Sequence, residues 1–173
     1  DTVSVLLNTT TPGAATPTFD PVETFPSGGD EPTSLATMDD PSTGAIDILV
    51  TNHGEATDGL ALLFNNGTGF DPPSLQPSGP NPVAVAAAVG GGGGIFSVFP
   101  TFVTANTGDN TVTVLAACGC GPSQVINLPD TPRGVALTDI DGQGALDLVI
   151  TLPNAVVVYR GGGLGTFQAQ RTY

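Results

Sequence analysis

Asp58-Gly-Leu-Ala-Leu-Leu-Phe-Asn65 opens on an acid, runs through apolar residues and closes on asparagine. The phrase recurs as Asp1-Thr-Val-Ser-Val-Leu-Leu-Asn8, as Asp109-Asn-Thr-Val-Thr-Val-Leu-Ala116 and as Asn154-Ala-Val-Val-Val-Tyr-Arg160. The starts lie 57, 51 and 45 residues apart, so the unit is about 50 residues long. A second phrase precedes three of the copies: Ala45-Ile-Asp-Ile-Leu-Val-Thr-Asn52, Phe102-Val-Thr-Ala-Asn106 and Ala145-Leu-Asp-Leu-Val-Ile-Thr151. A third lies further upstream: Pro32-Thr-Ser-Leu-Ala-Thr37, Pro82-Val-Ala-Val-Ala-Ala87 and Pro132-Arg-Gly-Val-Ala-Leu137. A weaker fourth follows the first, over residues 19–25, 70–75, 123–128 and 167–173.

Each phrase is short, rich in β-branched residues and bounded by Gly, Pro, Asn or Asp, the signature of a strand. Four strands per unit predict a four-stranded antiparallel sheet, which cannot bury both of its faces alone. Stacking successive sheets buries them, the logic of a β-propeller. The fold class expected is therefore all-β, with propeller blades of four strands. Residues 1–31 supply the last two strands of one blade, and residues 32–79, 82–129 and 132–173 supply three full blades. That is about three and a half blades, where closed propellers have 4–8. The expected partners are therefore other copies of the chain, or the remainder of a longer chain, completing the ring. Residues 1–25 and 132–173 are expected to carry that contact.

The composition agrees and narrows the function. The 173 residues include 24 Gly and 16 Pro, which disfavour long helices. Hydrophobic residues make up 39 %, enough for a core. Sixteen acids face three Arg (Arg133, Arg160 and Arg171) and no Lys, for a net charge of −13. Such a surface repels nucleic acid and attracts divalent cations. The longest clean apolar run, Val83 to Val89, is far short of the roughly 20 residues of a membrane helix. Asp1–Asn8 lacks the basic start of a signal peptide. The Thr, Gly and Pro bias, with sequons at Asn8 and Asn66, fits a mature extracellular or cell-surface protein.

The stretch Val135-Ala-Leu-Thr-Asp-Ile-Asp-Gly-Gln-Gly-Ala-Leu-Asp-Leu-Val-Ile150 resembles the FG-GAP or VCBS repeat family, the repeats of integrin-alpha-type propellers. The opening phrase and the ending Gly165–Tyr173 are similar to its bacterial members. The resemblance implies a calcium loop between the first two strands of a blade, and a role in adhesion, carbohydrate binding or as an accessory propeller of a secreted enzyme. Ca2+ takes six to eight oxygens, and carboxylates at alternate positions of a tight turn can converge on one point. Asp139, Asp141 and Asp147 are those carboxylates, Gln143 stands where the family has Asp, and the Ala145 carbonyl is the expected main-chain ligand. Gly144 suits the turn. The competing reading is an Asp-rich turn held by its own side-chain-to-backbone bonds. The first full unit offers Asp39, Thr43 and Asp47 as a weaker metal set, with Pro41 in place of a ligand. The second unit has a carboxylate-free Gly-rich insertion around residues 90–94, which excludes a metal.

Other chemistry is poorly supported. His53 is the only histidine and no Gly-x-Ser-x-Gly elbow occurs, so a hydrolase triad is not expected. Cys118 and Cys120 are too few for zinc; a strained disulfide, free thiols and bonds to other chains all stay open. The expectation is a non-catalytic repeat module for structural assembly, adhesion or ligand binding, with glycans or surface proteins as partners. A lectin and an accessory enzyme domain are the alternatives, and the absence of Trp argues mildly against the lectin.

Overall fold

The computed structural model describes residues 1–54, 59–89, 100–116, 124–163 and 165–173. Among the described residues fourteen strands run along the chain, and no helix occurs. They are β1 (Thr2–Val5), β2 (Glu23–Pro26), β3 (Pro32–Asp39), β4 (Ile46–Asn52), β5 (Leu60–Leu63), β6 (Ser74–Gln76) and β7 (Pro82–Val89). The rest are β8 (Pro100–Asn106), β9 (Thr111–Ala116), β10 (Gln124–Asn127), β11 (Gly134–Thr138), β12 (Asp147–Leu152), β13 (Ala155–Gly163) and β14 (Thr166–Thr172). Each strand overlaps one of the sequence phrases. Three antiparallel sheets form in chain order, β3-β4-β5-β6, β7-β8-β9-β10 and β11-β12-β13-β14, preceded by the two-stranded sheet β1-β2. Among the described residues no sheet closes on itself.

The sheets stack face to face in sequence. Alternation along β4 sends Ile48 and Val50 to one side, where they pack with Val3 of β1, Ala61 and Leu63. Leu49 points the other way and joins Met38, Leu60 and Leu62 against Val85, Phe102 and Leu115 of the second sheet. The opposite face of that sheet, with Val103, Val112, Val114 and Ile126, packs on Leu148, Ile150, Val157, Tyr159 and Phe167 of the third. Both faces of the first two sheets thus contribute to hydrophobic clusters, which explains their unbroken apolar runs. The first strands lie side by side along the stack, β3 against β7 and β7 against β11.

The apolar residues of the second strands are not all buried. Ile46, Ile48 and Val50 share a face, but only the latter two are core; Ile46 is 44 % exposed. Leu146 is likewise only half-buried beside buried Leu148 and Ile150. Ile46 opens β4 and Leu146 immediately precedes β12.

The repeat extends into the connectors between sheets. Glu31 and Asn81 both adopt positive φ, at 52° and 51°, immediately before Pro32 and Pro82. Their carbonyls accept from His53 N–H and Thr107 N–H, each at 3.0 Å. The preceding carbonyls, of Asp30 and Pro80, accept from Gly54 and Gly108. These connectors cover a buried asparagine at the end of each second strand, Asn52 and Asn106. A Cβ on Gly29 would meet Asn52 at 2.9 Å, and one on Gly79 would overlap Asn106, so both glycines are required by close approach.

Candidate functional site

The loop between β11 and β12 holds the acidic turn. Asp139 directly follows β11, Asp147 begins β12, and Asp141 lies between them. Gly142 and Gly144 sit at φ 72° and 86°, so two glycines rather than one permit the reversal. Oxygens of Asp139, Asp141 and Asp147 all lie within 4.8 Å of one another, the only such group of three acids, His or Cys among the described residues. An ion with ligand distances of about 2.4 Å spans oxygen pairs of up to about 5 Å, so the separation fits calcium.

Backbone donors already hold these carboxylates in place. Asp139 accepts from Gly142 N–H (2.7 Å) and Gln143 N–H (3.1 Å) on Oδ1, and from Gly144 N–H (2.8 Å) on Oδ2. Asp147, buried at 3 % exposure, accepts from Gly161 N–H (2.9 Å) and Ile140 N–H (3.0 Å). Asp141 accepts from Gln143 N–H and lies 3.4 Å from the Arg160 guanidinium. Asp139 Oδ1 takes two donors, but Asp139 Oδ2 and both Asp147 oxygens take one each and keep a lone pair, so this network orients the cluster without exhausting it. Three acids against one Arg leave a net charge of −2 on one turn. The Gln143 side chain turns its amide N–H toward the Asp141 carbonyl at 3.5 Å, and Ala145 is half-buried at the end of the turn.

The corresponding loop of the first sheet is organised differently. Asp40, not Asp39, is its centre. Its carboxylate accepts from Ser42 N–H (2.8 Å), the Ser42 hydroxyl and the Thr43 hydroxyl (2.7 Å). The Thr43 hydrogen bond, followed by those of Ser42, lowers its pKa. Thr43 therefore spends its hydroxyl inside the turn, Asp39 is exposed on β3, and Asp47 accepts from Asn65 N–H at 2.9 Å. Asp47 and Asp147 occupy the same repeat position, and each accepts a backbone N–H from a residue in or just after the sheet's third strand.

Burial raises the Asp47 pKa above its ordinary 3.8, outweighing the Asn65 hydrogen bond. A carboxyl with a raised folded pKa favours folding while protonated, and that contribution is lost as pH rises through the raised value. Asp47→Asn keeps an acceptor for Asn65 N–H and removes the buried charge. We expect its Tm to exceed wild type at pH 7 and to converge with it toward pH 3. Parallel melting curves across that range would contradict this reading.

The remaining candidates are scattered. Asn8 and Asn66 are both exposed, and the Asn66 side chain bonds Asp71 (2.7 Å) and Thr68. His53 is in a connector, 3.6 Å from Glu31. Cys118, Cys120 and the Gly-rich run from residue 90 lie outside the described residues. Sequence reading missed Arg160 and Gly161, which reach the turn only because β13 pairs with β12. No protein-family model, curated protein or solved structure matches the chain.

Proposed function

We propose that the chain is a non-catalytic β-propeller-type repeat module of an extracellular or cell-surface assembly, stabilised by Ca2+ in the turn between β11 and β12. The observation carrying this reading is the convergence of Asp139, Asp141 and Asp147 within 4.8 Å on a doubly glycine-permitted turn. The side-by-side first strands β3, β7 and β11 support the propeller arrangement, since blades of a propeller meet along their first strands around the axis. The resemblance of residues 135–150 to FG-GAP repeats points the same way. Gln143 in place of an acid makes the site weaker than a fully acidic one.

Calcium titration by calorimetry and by thermal melting tests the proposal. A ligand bound only by the folded state adds about 2.7 kcal/mol at a hundredfold excess over Kd. We expect Tm to rise with Ca2+, to return with chelator, and to be insensitive to Ca2+ in Asp139→Ala. A melting curve that ignores both calcium and chelator overturns the reading and favours a turn held by its own hydrogen bonds alone.

A further inference from the structure

A cleft of about 330 Å³ opens between the first and second sheets, beside the β3–β4 turn. Both sheets that form it have their full four strands. Met38, Leu62 and Phe64 give it apolar walls, and Asp40, Asp47 and Gln76 bring polar atoms to it. Met38 and Leu62 belong to the cluster that joins the two sheets, whereas Phe64 stays 43 % exposed.

Asp47 is the unusual member of this lining. It is 2 % exposed, yet only one of its oxygens has a donor. Oδ1 accepts from Asn65 N–H at 2.9 Å, and among the described residues no donor reaches Oδ2. The third sheet shows why. There Asp147 fills its second oxygen with the N–H of Ile140, seven residues upstream. The matching N–H in the first sheet belongs to Asp40 and goes instead to the Ala45 carbonyl at 2.8 Å. The next residue, Pro41, has no N–H to offer. A buried carboxylate oxygen without a donor is costly unless a ligand supplies one.

The surroundings define that ligand. The lining holds two acids and no base; the chain has no Lys, and its three Arg all lie at residue 133 or beyond. Asp40 spends both oxygens on Ser42 and Thr43, so it contributes charge rather than coordination. A divalent metal, which takes six to eight oxygens, is therefore poorly served. Gln76 donates its Nε2–H to Ser74 and turns no other printed bond inward, leaving Oε1 as a second acceptor.

We propose that this cleft binds a primary alkylammonium, either a free amine or a lysine side chain. The ammonium donates to Asp47 Oδ2, its aliphatic stem lies along Met38 and Leu62, and the Phe64 ring offers it a cation–π face. None of the β11–β12 carboxylates takes part, so the site stands apart from the calcium reading.

Backbone-amide NMR of the isotopically labelled full chain tests this at neutral pH with three probes. Butylammonium stands for the free amine, Nα-acetyl-lysinamide for the peptide-borne side chain, and 1-butanol is the neutral counterpart. We expect both amines to shift the Asp47 and Asn65 amides saturably in the millimolar range open to so few atoms, the tighter of the two identifying the source. Butanol should bind at least about tenfold more weakly, since it lacks the charge-assisted bond. Asp47→Asn keeps an acceptor for Asn65 N–H and should weaken amine binding by about tenfold or more. Phe64→Leu, at a half-exposed position, should weaken it by about threefold. Glu23→Gln, an exposed acid outside the cleft, should bind as wild type does. Absence of a saturable shift at Asn65 with either amine overturns the proposal. So does butanol binding as tightly as butylammonium, which would make the cleft merely apolar. Undiminished binding in Asp47→Asn overturns it too, as does an equal loss in Glu23→Gln, which would reduce the effect to general attraction by an acidic surface.

Discussion

Leu148→Asp is expected to abolish the cooperative unfolding of this protein under conditions where wild type is folded. Leu148 is fully buried, pairs with Leu137 and Tyr159, and belongs to the cluster that joins the second and third sheets. Removing a core leucine costs about 2–5 kcal/mol before any charge is considered. The carboxylate then finds Val103, Val112 and Val114 across the interface, with no cation among the residues of that cluster. Burial of an unpaired charge adds several kcal/mol more. The sum rivals a total stability of about 5–15 kcal/mol. Urea unfolding followed by far-UV circular dichroism reads the effect. Ile46→Asp is the matched comparison: it lies at the start of β4 but is 44 % exposed, so its cost should stay near 1 kcal/mol or below. If the two variants unfold at the same urea concentration, the stacked-sheet account of the core is wrong.

Gly161→Ala is expected to damage the fold and the proposed cation site together. Gly161 sits at an irregularity in the β13–β14 pairing, and an added Cβ would run into the Leu146 carbonyl. A main-chain oxygen cannot rotate away, so β13 must shift relative to β12, at about 1–3 kcal/mol. The same residue donates its N–H to Asp147 at 2.9 Å. Displacing that donor releases the buried carboxylate from its place among Asp139 and Asp141. Loss of a supporting hydrogen bond of this kind typically costs about 10–100-fold in metal affinity. We therefore expect a lower Tm together with a calcium affinity reduced by about tenfold or more. Gly162→Ala separates the two effects, because its methyl would meet the movable Thr166 hydroxyl at 2.8 Å rather than backbone. Wild-type calcium affinity in Gly161→Ala would show that the Gly161 N–H does not position Asp147.

The strand content was legible because each strand is short, apolar and punctuated, and because the same phrases return along the chain. Repetition gave the pairing order as well: adjacent phrases joined by short turns leave an antiparallel meander as the simplest connection. The acid positions of the β11–β12 loop were legible for a related reason, since their spacing is local and a tight turn brings close what lies two or eight residues apart. Local spacing failed in the β3–β4 loop. Asp39 and Asp40 are both acids at the right place, and only the folded turn shows that Asp40 captures Ser42 and Thr43.

The amino-acid sequence by itself determined the elements and their grouping into sheets, because these depend on periodicity and on contacts between neighbouring segments. Tertiary structure alone decided which equivalent apolar positions of the repeat are covered. Leu35 and Val85 hold the same place in the repeat, three residues after Pro32 and Pro82, yet one is 57 % exposed and the other 7 %, because burial depends on the number of strands in the preceding sheet. It alone brought Arg160 and Gly161 to the acidic turn, since cross-strand register sets that approach. And it alone revealed Asn52 and Asn106 as buried polar ends beneath glycine connectors, where close approach between distant segments, not local propensity, selects the residue.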